Sequence, residues 1–328
     1  MIQSERMPLT DHFADRVLQA CQAKGTPACV GIDPVYSKLP QTIVDQKELN
    51  DELDSAAAVD AIFEFATQVL RIVAPLVPAV KFNSAFFERY YWEGLETYYS
   101  LIQEADELGL EVIGDVKRGD IGSTAQAYAD AHLRNPEFVD LQDLIAPDAI
   151  TVNGFAGLDG IKPFAETAAE QGKGVFVWVR ASNPSAASLQ DFADASGKKF
   201  FELLAEQVAN LAAEPQYIGA NGLSSIGMVV GGAAAQQARS LRDKYPHIVF
   251  LVPGYGAQGA SALDCAQFAR KDGQGLLVNA SRSIIYAYEN PQYKEKFGDD
   301  WARCIEQAVI DMKAAFAAAL RGQEPLQT

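Results

Sequence analysis

The chain has 328 residues, of which 48% are hydrophobic, and its 27 lysines and arginines stand against 43 aspartates and glutamates, a formal net charge of −16 at neutral pH. This charge argues against a nucleic-acid-binding protein, because phosphates would be repelled, so any phosphate site must be built from local donors. No apolar run approaches the roughly 20 residues that span a bilayer, and we expect no membrane partner.

The cysteines and histidines form no pattern typical of a metal site. Four cysteines are scattered without a CxxC pair, and three histidines stand far apart without an HExxH context. Disulfides are rare in the cytosol, so we interpret the cysteines as reduced thiols. The first residues include an early acidic side chain and no apolar signal core. We therefore predict a cytoplasmic protein with no metal ligand set.

Short apolar segments alternate with amphipathic or alanine-rich segments along almost the whole chain, which predicts alternating strands and helices. We expect strands at residues 28–33, 79–83, 111–117, 149–153, 174–180, 227–231, 248–253 and 275–280. We expect helices at residues 9–23, 59–73, 88–108, 125–134, 199–213 and 234–245.

Eight strand–helix units in series favour a parallel sheet, and eight is the number that closes a barrel. The apolar strands fit burial on both faces. We therefore predict an α/β fold in which residues 1–328 form a single (β/α)8 TIM-barrel domain. Residues 1–27 hold an extra N-terminal helix that closes the barrel floor, residues 28–320 form the barrel, and residues 321–328 are a disordered tail. An open doubly wound sheet is the alternative, but no glycine-rich fingerprint follows the first strand.

One segment at the end of the third predicted strand concentrates charge. Asp115, Lys117 and Asp120 follow one another there. Residues two apart on a strand project to the same side, so Asp115 and Lys117 point together, and Asp120 lies in the following turn. Such a cluster costs desolvation and adds nothing to a core. It is either a surface ion pair or an electrostatic device that keeps a lysine protonated beside a reacting centre.

Polar residues also stand at the C-terminal ends of the other strands, where a barrel carries its catalytic groups. They are Asp33, Lys81, Asn83, Thr151, Asn153, Ser182, Asn183, Gln258, Asn279 and Arg282. A glycine-rich turn at residues 254–259 and Arg282 precede helical segments, and backbone N–H groups with an arginine make an anion site. We expect these two loops to bind phosphate, with tight turns as the alternative use of the glycines. Residues 181–197 and 255–259 are candidates for a lid.

The pattern of Lys81, Asp115-x-Lys117-x-x-Asp120 and Arg282 resembles the orotidine 5′-monophosphate decarboxylase family. Three further segments resemble its longer bacterial branch, the type 2 subfamily: Ser182-Asn-Pro, Pro253-Gly-x-Gly-Ala-Gln258-Gly and Ser281-Arg-Ser-Ile. The Asp-x-Lys-x-x-Asp element is shared with sugar-phosphate relatives and defines only the superfamily. The additional segments narrow the resemblance to the decarboxylase.

This resemblance implies the decarboxylation of orotidine 5′-monophosphate to UMP and CO2 in de novo pyrimidine biosynthesis, without a cofactor. It implies that Lys117 stabilises the carbanion at C6 and then protonates it, while Asp115 repels the substrate carboxylate. Lys81 and Asp120 would complete a chain of alternating charges. In the family, the second aspartate reaches the neighbouring subunit's site, so Asp120 and Thr124 imply a homodimer with shared active sites.

The resemblance also assigns the remaining contacts with the substrate. Asp33 and Lys81 would hold the ribose hydroxyls, and Ser182 would read the pyrimidine. Gln258 and Arg282 would hold the phosphate.

Other functions remain open at this point. A sugar-phosphate decarboxylase or aldolase of the same superfamily would bind Mg²⁺ and need a further carboxylate at the end of strand one or two, where Lys81 stands instead. A catalytically silent nucleotide-binding protein would have no need of Asp115 facing a substrate carboxylate. Schiff-base chemistry at Lys117 would need a neutral amine, which the flanking aspartates oppose.

Overall fold

The computed structural model describes residues 12–45, 54–232, 235–256 and 259–322. Its strands are β1 (Ala28–Ile32), β2 (Ala79–Asn83), β3 (Glu111–Arg118), β4 (Ala149–Asn153), β5 (Gly174–Arg180), β6 (Ile226–Val230), β7 (Phe250–Pro253) and β8 (Leu276–Ala280). Neighbouring strands pair in parallel, and β8 pairs with β1 to close the barrel. The predicted TIM barrel is confirmed, and the open sheet is excluded.

Helices alternate with these strands around the barrel. They are α1 (Phe13–Lys24), α2 (Gln41–Val44), α3 (Ser55–Val73), α4 (Ala85–Glu88), α5 (Tyr91–Glu107), α6 (Gly122–Leu133), α7 (Leu158–Glu170), α8 (Ala186–Gln190), α9 (Phe200–Ala212), α10 (Ala235–Lys244), α11 (Ala262–Ala266), α12 (Arg282–Ile285), α13 (Pro291–Phe297) and α14 (Trp301–Leu320). Within the described ranges, no helix is long and apolar enough to cross a bilayer.

The predicted N-terminal helix is present as α1 and closes the floor of the barrel. Phe13 packs edge-on against Phe176 inside the barrel, with ring centroids 5.8 Å apart. Polar contacts fasten the same helix: Asp15 accepts hydrogen bonds from two backbone N–H groups at residues 220–221, and Arg16 binds Asp148 at 2.9 Å. The open end of the barrel is therefore the opposite one, where the strands end. The first three residues of the predicted helix, 9–11, lie outside the described residues.

A buried arginine organises the N-terminal ends of β7 and β8. Arg242 of α10 is 2% exposed. Its guanidinium donates hydrogen bonds to five backbone carbonyl oxygens, those of Phe268, Tyr245, Pro246, Ile248 and Gly275. Burial, reinforced by nearby arginines, lowers the pKa of Arg242 to about 9. The carbonyl groups compensate for the missing water and hold the loops that lead into these strands.

Several helical segments differ from the prediction. The expected helix at 88–108 begins later, as α5, and the short helix α4 precedes it. Within α5, Gly94 packs against the carbonyl group of Phe87, and a Cβ atom there would collide with it. The chain turns between the two helices at Tyr91, which has a φ of 56°. The helical segment expected after Arg282 had no predicted bounds, and it contains α12, α13 and α14. In α14, Ile305, Val309, Met312 and Phe316 repeat at helical spacing and are buried.

Candidate active site

The C-terminal ends of the strands surround a cavity of about 260 Å³. Six predicted site residues line it: Asp33, Lys81, Asp115, Lys117, Ser182 and Arg282. Asp120 and Thr124 do not line this cavity. Gln258 lies outside the described residues. Convergence of residues from five separate strand ends on one cavity is the arrangement expected for a barrel enzyme.

The carboxylate of Asp115 is the centre of the charged cluster. Lys81 on β2 donates to Oδ2 with its Nζ at 2.7 Å, and Lys117 donates to Oδ1 at 2.6 Å. The side chains of Lys81 and Asp115 are 6% and 9% exposed, whereas that of Lys117 is 38% exposed. The ion pair between Lys81 and Asp115 is therefore buried, while the ammonium group of Lys117 remains accessible from the cavity.

Electrostatic attraction outweighs burial at both buried members of this cluster. Burial disfavours the charged form of Asp115, but the ammonium groups of Lys81 and Lys117 hold its pKa well below the usual range. Burial likewise opposes the charge on Lys81, and the carboxylates of Asp115 and Asp33 nevertheless raise its pKa above the ordinary value. Both groups are consequently charged at neutral pH.

Lys117 is placed by an irregularity at the end of β3. The register of β3 against β4 shifts between Gly114 and Arg118, which indicates a bulge. Within it, Lys117 has a φ of 44°, and its backbone N–H donates to Thr151 Oγ1 at 3.0 Å. Its Nζ atom lies 5.9 Å from the ring centroid of Trp178. The amine thus stands between a carboxylate and an aromatic wall.

The loop after β1 is held by an aromatic hydroxyl from beyond β8. Tyr286 donates its hydroxyl to the carbonyl oxygen of Asp33 at 3.1 Å and accepts from the backbone N–H of Val35 at 2.7 Å. Burial raises the pKa of this hydroxyl above its usual range, so it remains a donor. Because β1 is paired with β8, this contact joins neighbouring loops, and both Asp33 and Arg282, the first residue of α12, line the cavity.

The loop after β5 folds back onto the end of its own strand. Arg180 pairs with Asp191 at 3.0 Å, and Gln190 accepts a hydrogen bond from the backbone N–H of Ala181 at 2.9 Å. Ser182 follows directly after these two tethered residues and lines the cavity. The loop also contains the short helix α8, which the sequence analysis did not predict.

The cavity is also lined by residues that received no role from the sequence. They are Thr151, Trp178, Arg180, Val229, Leu251, Tyr255 and Asn279. Thr151 and Asn279 were named from the sequence as polar residues at strand ends, which is a signal of function, although no role was assigned to them. Trp178, Val229 and Leu251 had none, because an apolar residue that faces the barrel interior has the same sequence pattern as one that faces a helix.

A (β/α)8 barrel with an ammonium–carboxylate cluster inside its mouth defines a TIM-barrel enzyme. The family model of orotidine 5′-phosphate decarboxylase and the HUMPS family matches residues 27–296. The chain is 37% identical over 301 residues to an orotidine 5′-phosphate decarboxylase of Rhodopirellula baltica, covering 92% of this chain and 97% of that protein. A Caldicellulosiruptor bescii enzyme of the same name is 37% identical over 283 residues, or 85% of this chain and 91% of that protein.

The same relationship holds for solved structures. A putative orotidine 5′-phosphate decarboxylase from Streptomyces avermitilis superposes with a TM-score of 0.73 and 29% identity, covering 98% of this chain and 100% of that one. The chain belongs to the orotidine 5′-phosphate decarboxylase family. It is a carboxy-lyase that decarboxylates orotidine 5′-monophosphate in pyrimidine biosynthesis, and the magnesium-dependent sugar-phosphate alternative is not favoured.

Proposed function

We propose that Lys117, Asp115, Lys81 and Asp120 carry the decarboxylation without a cofactor, with Lys117 as the proton donor. The observation that supports this most directly is the cluster at the cavity mouth, in which one buried carboxylate accepts hydrogen bonds from two ammonium groups. Of these two cations, Lys117 is the accessible one, so it is the one that can approach a substrate.

In this mechanism, the bond between C6 and the carboxylate carbon breaks, CO2 leaves, and the electron pair remains on C6. The Lys117 ammonium stabilises that pair electrostatically and then transfers a proton to C6, which gives UMP. The charge on C6 appears only as CO2 departs, so a fixed cation at this point lowers the barrier rather than merely tightening substrate binding. Solvent then returns a proton to the Lys117 amine.

Asp115 would act through the charge of the substrate. A carboxylate held against the substrate carboxylate repels it, and the repulsion disappears when neutral CO2 leaves. This role requires that Asp115 stay ionised beside another anion. Lys81 supports that requirement, because its buried ammonium holds the pKa of Asp115 low.

The remaining substrate contacts are supported by the sequence resemblance and, for all but Gln258, by the residues that line the cavity. We propose that Asp33 and Lys81 bind the ribose, that Ser182 reads the pyrimidine, and that Arg282 binds the phosphate together with Gln258. Gln258 lies outside the described residues, so its place in this proposal rests only on the sequence resemblance.

We further propose a homodimer in which Asp120 and Thr124 serve the neighbouring active site. Both residues lie just beyond β3 and outside this chain's own cavity. Large apolar side chains are exposed on the segments that follow β2 and β3, namely Tyr91, Trp92, Ile121, Phe138 and Val139. Exposed aromatic and aliphatic side chains in such numbers are typical of a protein–protein interface.

Two further proposals concern the domain organisation and the cellular location. We propose that residues 1–328 form one domain, with a helix in residues 1–27, the barrel at 28–320 and a tail at 321–328. We also propose a cytoplasmic location, which is supported by the free thiols of all four cysteines.

The test of the catalytic proposal is the decay of orotidine 5′-monophosphate in EDTA, with wild type compared with Lys117→Ala. Lys294→Ala, a variant of a helix α13 lysine, serves as the matched control. We expect turnover of Lys117→Ala to fall at least about 10³-fold, while UMP binding changes little. Full activity of this variant would refute the role of Lys117. Borohydride trapping of substrate on Lys117 would instead support a Schiff base, and activity lost in EDTA and restored by Mg²⁺ would support a metal-dependent reaction.

Subunit complementation tests the shared site. Lys117→Ala and Asp120→Asn are each expected to be nearly inactive, but random mixing of their subunits should restore about a quarter of wild-type activity. Half of the dimers are then mixed, and each mixed dimer has one intact site. No recovery on mixing would contradict the contribution of Asp120 to the partner's site.

A further inference from the structure

The backbone of Lys117 adopts a conformation that its surroundings must impose. Its φ of 44° lies in the left-handed region, which L-residues other than glycine seldom occupy. Of the non-glycine residues in the described ranges, Tyr91 alone shares a positive φ. Residues held in this way persist only where neighbouring contacts enforce the conformation, and they concentrate at functional sites.

Two groups of contacts flank this position. On the outer side, Arg118 donates to Glu88 at 2.7 Å and to the Nε2 atom of His132 at 3.3 Å. These contacts fix the end of β3 against α4 and α6. These contacts involve the side chain of Arg118 and not Lys117 itself. The left-handed backbone of Lys117 must therefore be held by a different contact, on the cavity side.

That contact is the hydroxyl group of Thr151 on β4. Its side chain is buried, with 2% of the residue exposed. Oγ1 accepts the backbone N–H of Lys117 at 3.0 Å and donates to Oδ1 of Asp115 at 2.9 Å. Oδ1 also accepts the Lys117 ammonium at 2.6 Å. One hydroxyl thus links the backbone of the amine-bearing residue to the same oxygen atom that receives the amine.

We propose that Thr151 is a positioning residue for the decarboxylation, and this inference rests on the proposed role of Lys117. Its hydroxyl holds Lys117 in the left-handed conformation and thereby sets where the ammonium lies relative to C6. It has a second effect when Lys117 gives its proton to C6. Oδ1 of Asp115 then loses its charged donor but keeps the hydrogen bond from Thr151. The buried carboxylate oxygen is therefore not left without a hydrogen-bond donor.

The test compares Thr151→Val, which removes the hydroxyl at nearly constant volume, with Thr151→Ser, which retains it. We expect kcat of Thr151→Val to fall about 10- to 100-fold, because small displacements of a reacting group carry losses of this size. KM and the affinity for UMP should stay within about threefold, since no proposed substrate contact is removed. Thr151→Ser should recover kcat to within about threefold of wild type.

A matched control separates positioning from folding. Thr67 in α3 is also buried, and its hydroxyl has no hydrogen-bond partner among the described residues, so Thr67→Val should leave kcat unchanged. Thr151→Ala removes the same hydroxyl without introducing a new methyl contact and must show the same loss of kcat. Urea unfolding of each variant verifies that the assayed enzyme is folded.

Three outcomes would overturn the inference: wild-type kcat in Thr151→Val, a Thr151→Ser variant as impaired as the valine variant, or a loss confined to KM. These outcomes can be distinguished from a failure of the proposed catalytic role of Lys117. If Lys117→Ala retains full turnover, the assignment of Lys117 itself is wrong. If Lys117→Ala is inactive and Thr151→Val is normal, only the role of Thr151 is refuted.

Discussion

Replacing Asp115 with asparagine tests whether this carboxylate holds the charged cluster together. The change keeps the shape of the side chain and removes the charge that faces Lys81 at 2.7 Å and Lys117 at 2.6 Å. Lys81 is the more affected cation, because its side chain is only 6% exposed and cannot exchange the lost partner for water. Removing one member of a buried ion pair costs about 3–5 kcal/mol. Asp33 still attracts Lys81, so we expect a loss of about 3 kcal/mol in the free energy of unfolding at pH 7.

The pH dependence of this loss has a definite sign. In the wild type, the pKa of Lys81 is raised, so its contribution to stability is complete below the unfolded value of about 10.4 and is lost only as the pH passes the folded value. In Asp115→Asn, burial should lower the pKa of Lys81 below the unfolded value. The unfolded chain then binds more protons, and the variant gains stability as the pH rises. The difference between the two proteins should therefore shrink from pH 7 to about pH 10.

Urea unfolding followed by circular dichroism at several pH values measures this difference. Asp299→Asn, at an exposed position beyond α13, provides the control and should match the wild type throughout. A loss below about 1 kcal/mol at pH 7 would show that Asp115 does not neutralise Lys81. A difference that stays constant or widens toward high pH would refute the electrostatic reasoning even if the loss at pH 7 is as expected.

Three further substitutions probe other parts of the molecule. Arg282→Ala should raise KM for orotidine 5′-monophosphate about 10- to 100-fold, because a charge-assisted hydrogen bond to the phosphate is lost. KM for the nucleoside orotidine, which has no phosphate, should stay unchanged. Steady-state kinetics with both substrates measure this, and an equal rise of the two KM values would contradict the assignment. Trp92→Glu should weaken the proposed dimer, so that sedimentation shows monomers and specific activity falls on dilution; a dimer of unchanged affinity would remove this residue from the interface. Arg242→Met should lower the free energy of unfolding by about 3–5 kcal/mol in urea titrations, since buried carbonyl groups lose their donor, and a near-neutral result would mean that water replaces the guanidinium.

The sequence allowed much of the fold to be predicted, because strands buried on both faces are continuous apolar runs that a periodicity argument detects. β2, β4 and β5 have the predicted bounds, and β3 extends one residue further, to Arg118. The separate helix α4 and the start of α5 at Tyr91 were not predicted. Tyr91 adopts a positive φ, which local propensity does not predict for a tyrosine.

The candidate site was predictable where its residues are charged and stand at strand ends. Asp115, Lys81 and Lys117 are expensive to desolvate, so their position alone indicated a function, and the structure brings them together. The part played by Thr151 depends on how β4 aligns with a bulge in β3, which only the pairing of the two strands determines. A threonine on a strand is otherwise an ordinary residue with high β-propensity.

The proposed catalytic role of Lys117 and its left-handed backbone place opposing demands on a single position. Glycine would adopt a φ of 44° without a steric penalty, but it would remove the only accessible amine of the charged cluster. Selection for a more stable barrel and selection for turnover therefore favour different residues here. Lys117→Gly would relieve the backbone strain but remove the proposed proton donor, so the strain is a constraint that the proposed chemistry places on the evolution of this strand end.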